Sequence, residues 1–199
     1  MATPIGHFLA GLATYESVRR PSDSASGSRR AWTLALLAMF AAVAADLDFI
    51  PGILVGRPAL YHHGVSHSLG FCVLAATAGA LLFGRIGRIG RSTGAVFGLI
   101  FFAYGTHLVV DLFGPDGRPP HGIPVLWPLS DEYFHSPVSL LVRIRHSPTT
   151  DAPIAGWIEG IISWNNLLAL TLEVVLIGPF VLLARKLKAR ARSDRQPRS

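Results

Sequence analysis

Residues 93–113 read TGAVFGLIFFAYGTHLVVDLF, an apolar run broken only by His107 and Asp111 near its end. A helix that crosses a bilayer needs about 20 mainly apolar residues, with 17 to 25 the usual range. An acid at membrane depth is costly, and is normally paired or functional. This run therefore says two things: the chain enters lipid, and Asp111 has a purpose there. His107 and Asp111 are four apart and share one helix face.

Three further apolar stretches flank this one, at about 31–50, 66–83 and 160–184. Each is apolar nearly all round, as expected of helices in lipid. Composition agrees. Of 199 residues, 50% are hydrophobic and 15% charged, against roughly 25% charged in a soluble domain, and the mean hydropathy is +0.43. Disorder is excluded, because it requires low hydrophobicity and high net charge. A disulfide scaffold is excluded as well, since Cys72 is the sole cysteine. No internal repeat is visible. The expected architecture is all-α, one membrane-embedded domain over 1–199 with four transmembrane helices.

The 18 Lys and Arg residues fall in clusters. Arg19, Arg20, Arg29 and Arg30 precede the first span, Arg85, Arg88 and Arg91 separate the second and third, and seven lie in the tail 185–199. Those 14 occupy alternate connections, leaving 4 for the other side. Short cytoplasmic loops hold the excess basic residues, so 21–30 reads as a cytoplasmic loop, 185–199 as a cytoplasmic tail and 114–153 as an outer loop. Anchoring explains the basic tail, and nucleic acid is not an expected partner.

Arg29-Arg30 followed by an apolar run imitates a signal peptide. The preceding thirty residues are too long for a usual n-region, however, and 4–18 has apolar residues Ile5, Phe8, Leu9, Leu12 and Val18 at roughly helical spacing. That helix is short for a span at about 1.5 Å per residue. It is expected to run partway through the membrane from the outer side.

With this topology, Asp46 and Asp48, His62, His63 and His67, His107 and Asp111, and His7 all fall near the outer interface. His121, His135 and His146 lie at or beyond it. Imidazole and carboxylate at one depth suit a divalent ion, with imidazole favouring zinc and similar metals. Asp46 and Asp48, two apart, cannot share a helix face, but converge if the helix stops at Pro51-Gly52. Glu173, mid-way along the last span, reads either as a partner behind such a site or as a buried protonated acid.

Five blocks carrying these residues occur in an order that resembles the YdjM-like family of bacterial inner-membrane metal-dependent hydrolases, also described as LexA-binding. They are Gly6-His7-Phe8-Leu9, Ala45-Asp46-Leu47-Asp48, His62-His63-Gly64-Val65-Ser66-His67-Ser68, Gly105-Thr106-His107-Leu108-Val109-Val110-Asp111 and Gly122-Ile123-Pro124-Val125-Leu126-Trp127-Pro128. The resemblance covers about residues 5–137. It implies His7, Asp46, Asp48, His62, His67, His107 and Asp111 as metal-site residues, with one of Asp46 and Asp48 bridging metals or acting as general base. Two departures are clear: Ala45 stands where the family usually has proline, and His63 where it has arginine. A Pro115–Pro120 insertion also lengthens the loop after Asp111.

The family is similar in turn to zinc-dependent phospholipases C and single-strand zinc nucleases, all-helical enzymes with a His-x-x-x-Asp metal helix. The implied function is hydrolysis of a phosphoester or lipid headgroup at the outer face of the inner membrane, with one to three divalent ions, zinc expected. Membrane lipid is the expected partner. A divalent-metal transporter and a non-catalytic, metal-stabilised scaffold remain the alternatives.

Overall fold

The computed structural model describes residues 2–20, 23, 28–85, 90–117, 119–145 and 161–193. His146, most of the 21–30 loop, part of the outer loop and the end of the tail lie outside them. Helix α1 spans Pro4–Val18. Thr3 caps it, its side chain accepting from the Gly6 N–H at 3.1 Å, and Pro4 supplies the first helical position.

Helix α2 spans Ser28–Ala41, followed by a 3-10 segment Ala44–Asp48 and a short helix α3, Phe49–Leu54. The pair bends by 55°. The break thus precedes the two aspartates, whereas Pro51-Gly52 was expected to stop the helix after them. Pro51 instead sits in the first turn of α3, where its missing N–H removes no helical hydrogen bond.

Val65–His67 forms another 3-10 turn, leading into α4, Leu69–Arg85. Helix α5 spans Thr93–Leu112, capped by the Ser92 side chain on the Ala95 N–H. Helix α6 spans Trp164–Ser193, with Pro179 inside it. The described residues contain no β-strand, and Ile123 and Phe134 form an isolated bridge.

The protein is a helical membrane protein. Two helices, α5 and α6, are long and apolar enough to cross by themselves, and the bent α2–α3 pair makes a third if taken as one span. The expected four spans exceed this, because α4 has only 17 residues, about 26 Å at 1.5 Å per residue.

Helix α1 packs against α2, α5 and α6, while α4 packs on α5. The interior is made of small and branched side chains, among them Leu34, Ala38, Ala76, Val96 and Ala103. A Cβ on Gly11 would lie 2.5 Å from the Ala38 carbonyl oxygen, so glycine is what lets α1 and α2 approach closely, as small residues do in lipid. Outside, Leu36, Phe40, Leu74, Phe102 and Leu182 are exposed. Such an apolar surface suits acyl chains rather than water.

Candidate metal centre

Helix α5 sets one wall of the centre. Its buried residues Leu99, Ile100, Ala103, Tyr104, His107, Leu108 and Asp111 follow helical spacing, and the i,i+4 pair brings His107 Nε2 to 3.1 Å from Asp111 Oδ2. The Nδ1–H of His107 donates to the Ala42 carbonyl at 2.8 Å. That carbonyl is available because α2 has ended one residue earlier, and the bond leaves Nε2 as a lone pair facing the centre.

The 3-10 turn after Gly64 delivers His67, whose Nε2 lies 3.1 Å from His107 Nε2, 3.5 Å from Asp111 Oδ2 and 3.7 Å from Asp46 Oδ1. Asp46 Oδ1 is 3.6 Å from His107 Nε2. Ligands held at 2.0–2.2 Å around a tetrahedral ion stand roughly 3.3–3.6 Å apart. Asp46, His67, His107 and Asp111 therefore form a group with the spacing and chemistry to hold a metal ion.

Asp48 turns the other way. Its Oδ1 accepts from His62 Nδ1 at 3.0 Å, and its Oδ2 accepts from the Ser66 hydroxyl at 2.9 Å. His67 Nδ1 lies 3.1 Å from the same Oδ2. Asp48 thus stands behind two imidazoles and aims them, as carboxylates commonly do for metal-binding histidines. His7 Nε2 is 3.6 Å from Asp111 Oδ1, and its ring stacks on His107 with centroids 3.8 Å apart. All seven side chains expected from the sequence gather here; His121 and His135 are exposed and face each other elsewhere.

Burial works against charge on His67, but hydrogen bonds to Asp111, Asp46 and Asp48 outweigh it and raise its pKa well above the usual value. His62 goes the opposite way: burial pushes it down to about 3 against its Asp48 hydrogen bond. A proton on His67 and a metal ion answer the same need, positive charge among three carboxylates, and compete for one lone pair.

Tyr104, Ala2 and Asp116 escaped the sequence reading, which leaves Glu173 open between two roles and names His63 as a departure from the family. Tyr104, one turn before His107, donates to the Ser66 carbonyl at 2.6 Å and fixes the turn. The Ala2 N–H donates to Asp111 Oδ1 at 3.2 Å. Glu173 accepts from the Thr3 N–H at 2.7 Å and from the Thr3 hydroxyl, so it anchors the start of α1, the helix that carries His7. His63 and Asp116 also meet here, Nδ1 to Oδ2 at 3.2 Å.

Two cavities adjoin the cluster. One of about 800 Å³ is lined by Asp48, Tyr61, His62, His63, Asp116 and Tyr133. Another of about 780 Å³ is largely apolar, with Ile5, Phe49, Leu167 and Leu170, and reaches Asp46.

These features define a class: a helical membrane protein with a buried histidine–aspartate group able to hold metal. The chain belongs to the YdjM inner membrane protein family, whose description matches residues 1–190. No curated protein and no solved structure matches it.

Proposed function

We propose that this protein is a membrane-embedded, metal-dependent hydrolase of phosphoesters, with lipid headgroups as substrate at the outer face of the inner membrane. The observation that carries this reading is the near-tetrahedral spacing of His67, His107, Asp46 and Asp111 beside two cavities, one of which is lined in part by Asp48, His62, His63 and Asp116 and the other of which reaches Asp46. Two nitrogens and two carboxylates suit zinc. Bound there, the ion supplies Lewis acidity towards water and phosphoryl oxygen.

The chain's own residues divide the remaining work. Asp46, the more exposed of the two acids at 15%, is the one suited to bridge ions or accept a proton. Asp48, engaged by His62, His67 and Ser66, positions them. The apolar cavity gives an acyl chain a path to Asp46. Four spans remain the proposed topology, with α4 as a short fourth crossing that local bilayer thinning accommodates.

A second reading has its own support. Four protein ligands closing one tetrahedron is the pattern of a structural zinc site, so a scaffold fits that group taken alone. Transport fits less well, since Glu173 is occupied by Thr3 and the far end of α1 is rich in arginine. The deciding experiment is metal analysis of the purified protein followed by a phosphoester panel that includes phospholipids. The hydrolase is expected to hold zinc and cleave a member of the panel, with both properties lost in His107→Ala and Asp111→Asn. Fully metallated, inactive wild type would establish the scaffold.

A further inference from the structure

We infer that the groove between α2 and α4 seats one acyl chain of a membrane phospholipid whose headgroup enters the polar cavity beside His62 and His63. This deepens the phosphoester reading above, resting on its lipid-headgroup substrate. Helices α2 and α4 both pack on α5. Between them lies a cavity of about 520 Å³, walled by Leu37 and Ala41 from α2 and by Ala75 and Gly79 from α4, with Ile100 and Tyr104 of α5 as its floor. The polar side chains in its lining, Thr33 and Tyr104, are already engaged: their hydroxyls donate to the Arg29 and Ser66 carbonyls at 2.9 and 2.6 Å. Among the described residues, no side chain of the lining is left to recognise a polar occupant, so the groove favours an apolar one.

The groove continues into the polar cavity. Ala44 and Leu47 line it, and both also line the 800 Å³ cavity of Asp48, His62, His63 and Asp116. The 55° bend that follows α2 places these two residues at the junction. On α4 the junction is one turn long, from Phe71 in the polar cavity to Ala75 in the groove. Tyr104 forms the partition, its ring in the groove and its hydroxyl on Ser66, which lines the polar cavity. Asp48 then links that cavity to the metal group, accepting from His62 and standing 3.1 Å from His67 Nδ1.

Size selects the occupant. The walls from Thr33 to Ala41 and from Ala75 to Phe83 each rise about 12 Å at 1.5 Å per residue. One leaflet of a hydrocarbon core about 30 Å thick is roughly 15 Å deep, so the groove matches a chain from a single leaflet. A crossing helix of a partner fits poorly. At about 10–12 Å across, it would fill roughly 1,000 Å³ over the same length, and it would extend for about 20 residues. An acyl chain joined to a phosphate carries its apolar and polar parts in the order in which groove and cavity present theirs.

The test is photolabelling of the full chain, delipidated in detergent, by a phosphatidylglycerol with a diazirine at the end of one chain. Labelled peptides are mapped, and zinc content is read in parallel. Label is expected in the stretches 33–41 and 75–83, reduced by unlabelled phosphatidylglycerol and not by the free fatty acid of the same chain. Ala75→Leu is expected to weaken labelling about tenfold, as if roughly two methylenes of the chain were excluded. Leu47→Ala is expected to weaken it less, and zinc content to stay unchanged in both. Equal labelling in wild type and both variants, or equal competition by the fatty acid, overturns the inference. So does an unlabelled groove whose α2 and α4 crosslink to a second copy. Zinc uptake and phosphoester cleavage that persist in those cases leave the hydrolase reading standing. Groove labelling of zinc-loaded protein that cleaves no phospholipid upholds the lipid seat and overturns hydrolysis. If Ala75→Leu aggregates, Leu47→Ala and the fatty-acid competition decide the matter.

Discussion

At one end of α1 His7 faces Asp111; nine residues on, Glu16 faces Arg185 and Arg19. The two ends are about 13–14 Å apart along the helix, and both are buried, yet they neutralise their acids differently. Near Glu16, the fully buried Asp23 pairs with Arg91 and Arg30. Asp46, Asp48 and Asp111 meet imidazoles and no guanidinium among the described residues. A guanidinium carries a permanent charge, whereas an imidazole offers a lone pair and a variable charge. One end is completed by the chain itself; the other has the spacing and chemistry to hold a cation from solution.

That contrast breaks most readily at Asp111. Asp111→Asn removes a carboxylate shared by His7, His67 and His107, and is expected to weaken zinc binding by more than about 100-fold in a chelator competition. Retention of wild-type affinity would mean the histidine end is also self-sufficient. Asp23→Ala tests the opposite end. It leaves Arg91 and Arg30 facing each other without their acid, and is expected to cost about 3–5 kcal/mol in thermal unfolding, with zinc content unchanged.

A third measurement sharpens the comparison. Zinc at about 100 times its wild-type dissociation constant is expected to stabilise wild type by about 2.7 kcal/mol, to do the same in Asp23→Ala, and to add at most about 0.4 kcal/mol in Asp111→Asn. Proton release is the finer probe. The carboxylates around His67 raise its pKa, and an ion binds only the neutral ring. Zinc uptake is therefore expected to release protons and its affinity to fall as pH drops; calorimetry in buffers of different ionisation enthalpy reads this directly. The smallest effect is expected for Arg185→Ala. Its side chain is 52% exposed, so solvent screens the Glu16 pair and the loss is about 0–1 kcal/mol.

Much of the centre was legible because its residues advertise themselves. An acid in an apolar run, a histidine one turn before it and a His-His-Gly cluster need no tertiary information to stand out. The helix over 4–18 and the run at 93–113 were legible too, from apolar spacing and from length. The bend after Ala41 was not, since Ala42-Val43-Ala44 contains no breaker; what stabilises it is the Ala42 carbonyl bonding His107, 65 residues away. His63 was legible only as a departure from the family pattern, and Asp116 was passed over because it sits in a loop insertion.

By itself the sequence determined the solvent, the helical class, and the shared face of His107 and Asp111. Composition and i,i+4 spacing are local, and no packing can undo them. Only the tertiary structure decided which of two neighbouring aspartates faces the centre and which stands behind it, that Glu173 anchors Thr3, and that His7 reaches Asp111 across 104 residues of chain. Those outcomes depend on how closely helices approach. That distance is set where Gly6 meets the Glu173 carboxylate and Gly11 meets the Ala38 carbonyl, contacts between segments that carry no mark of one another in their own residues.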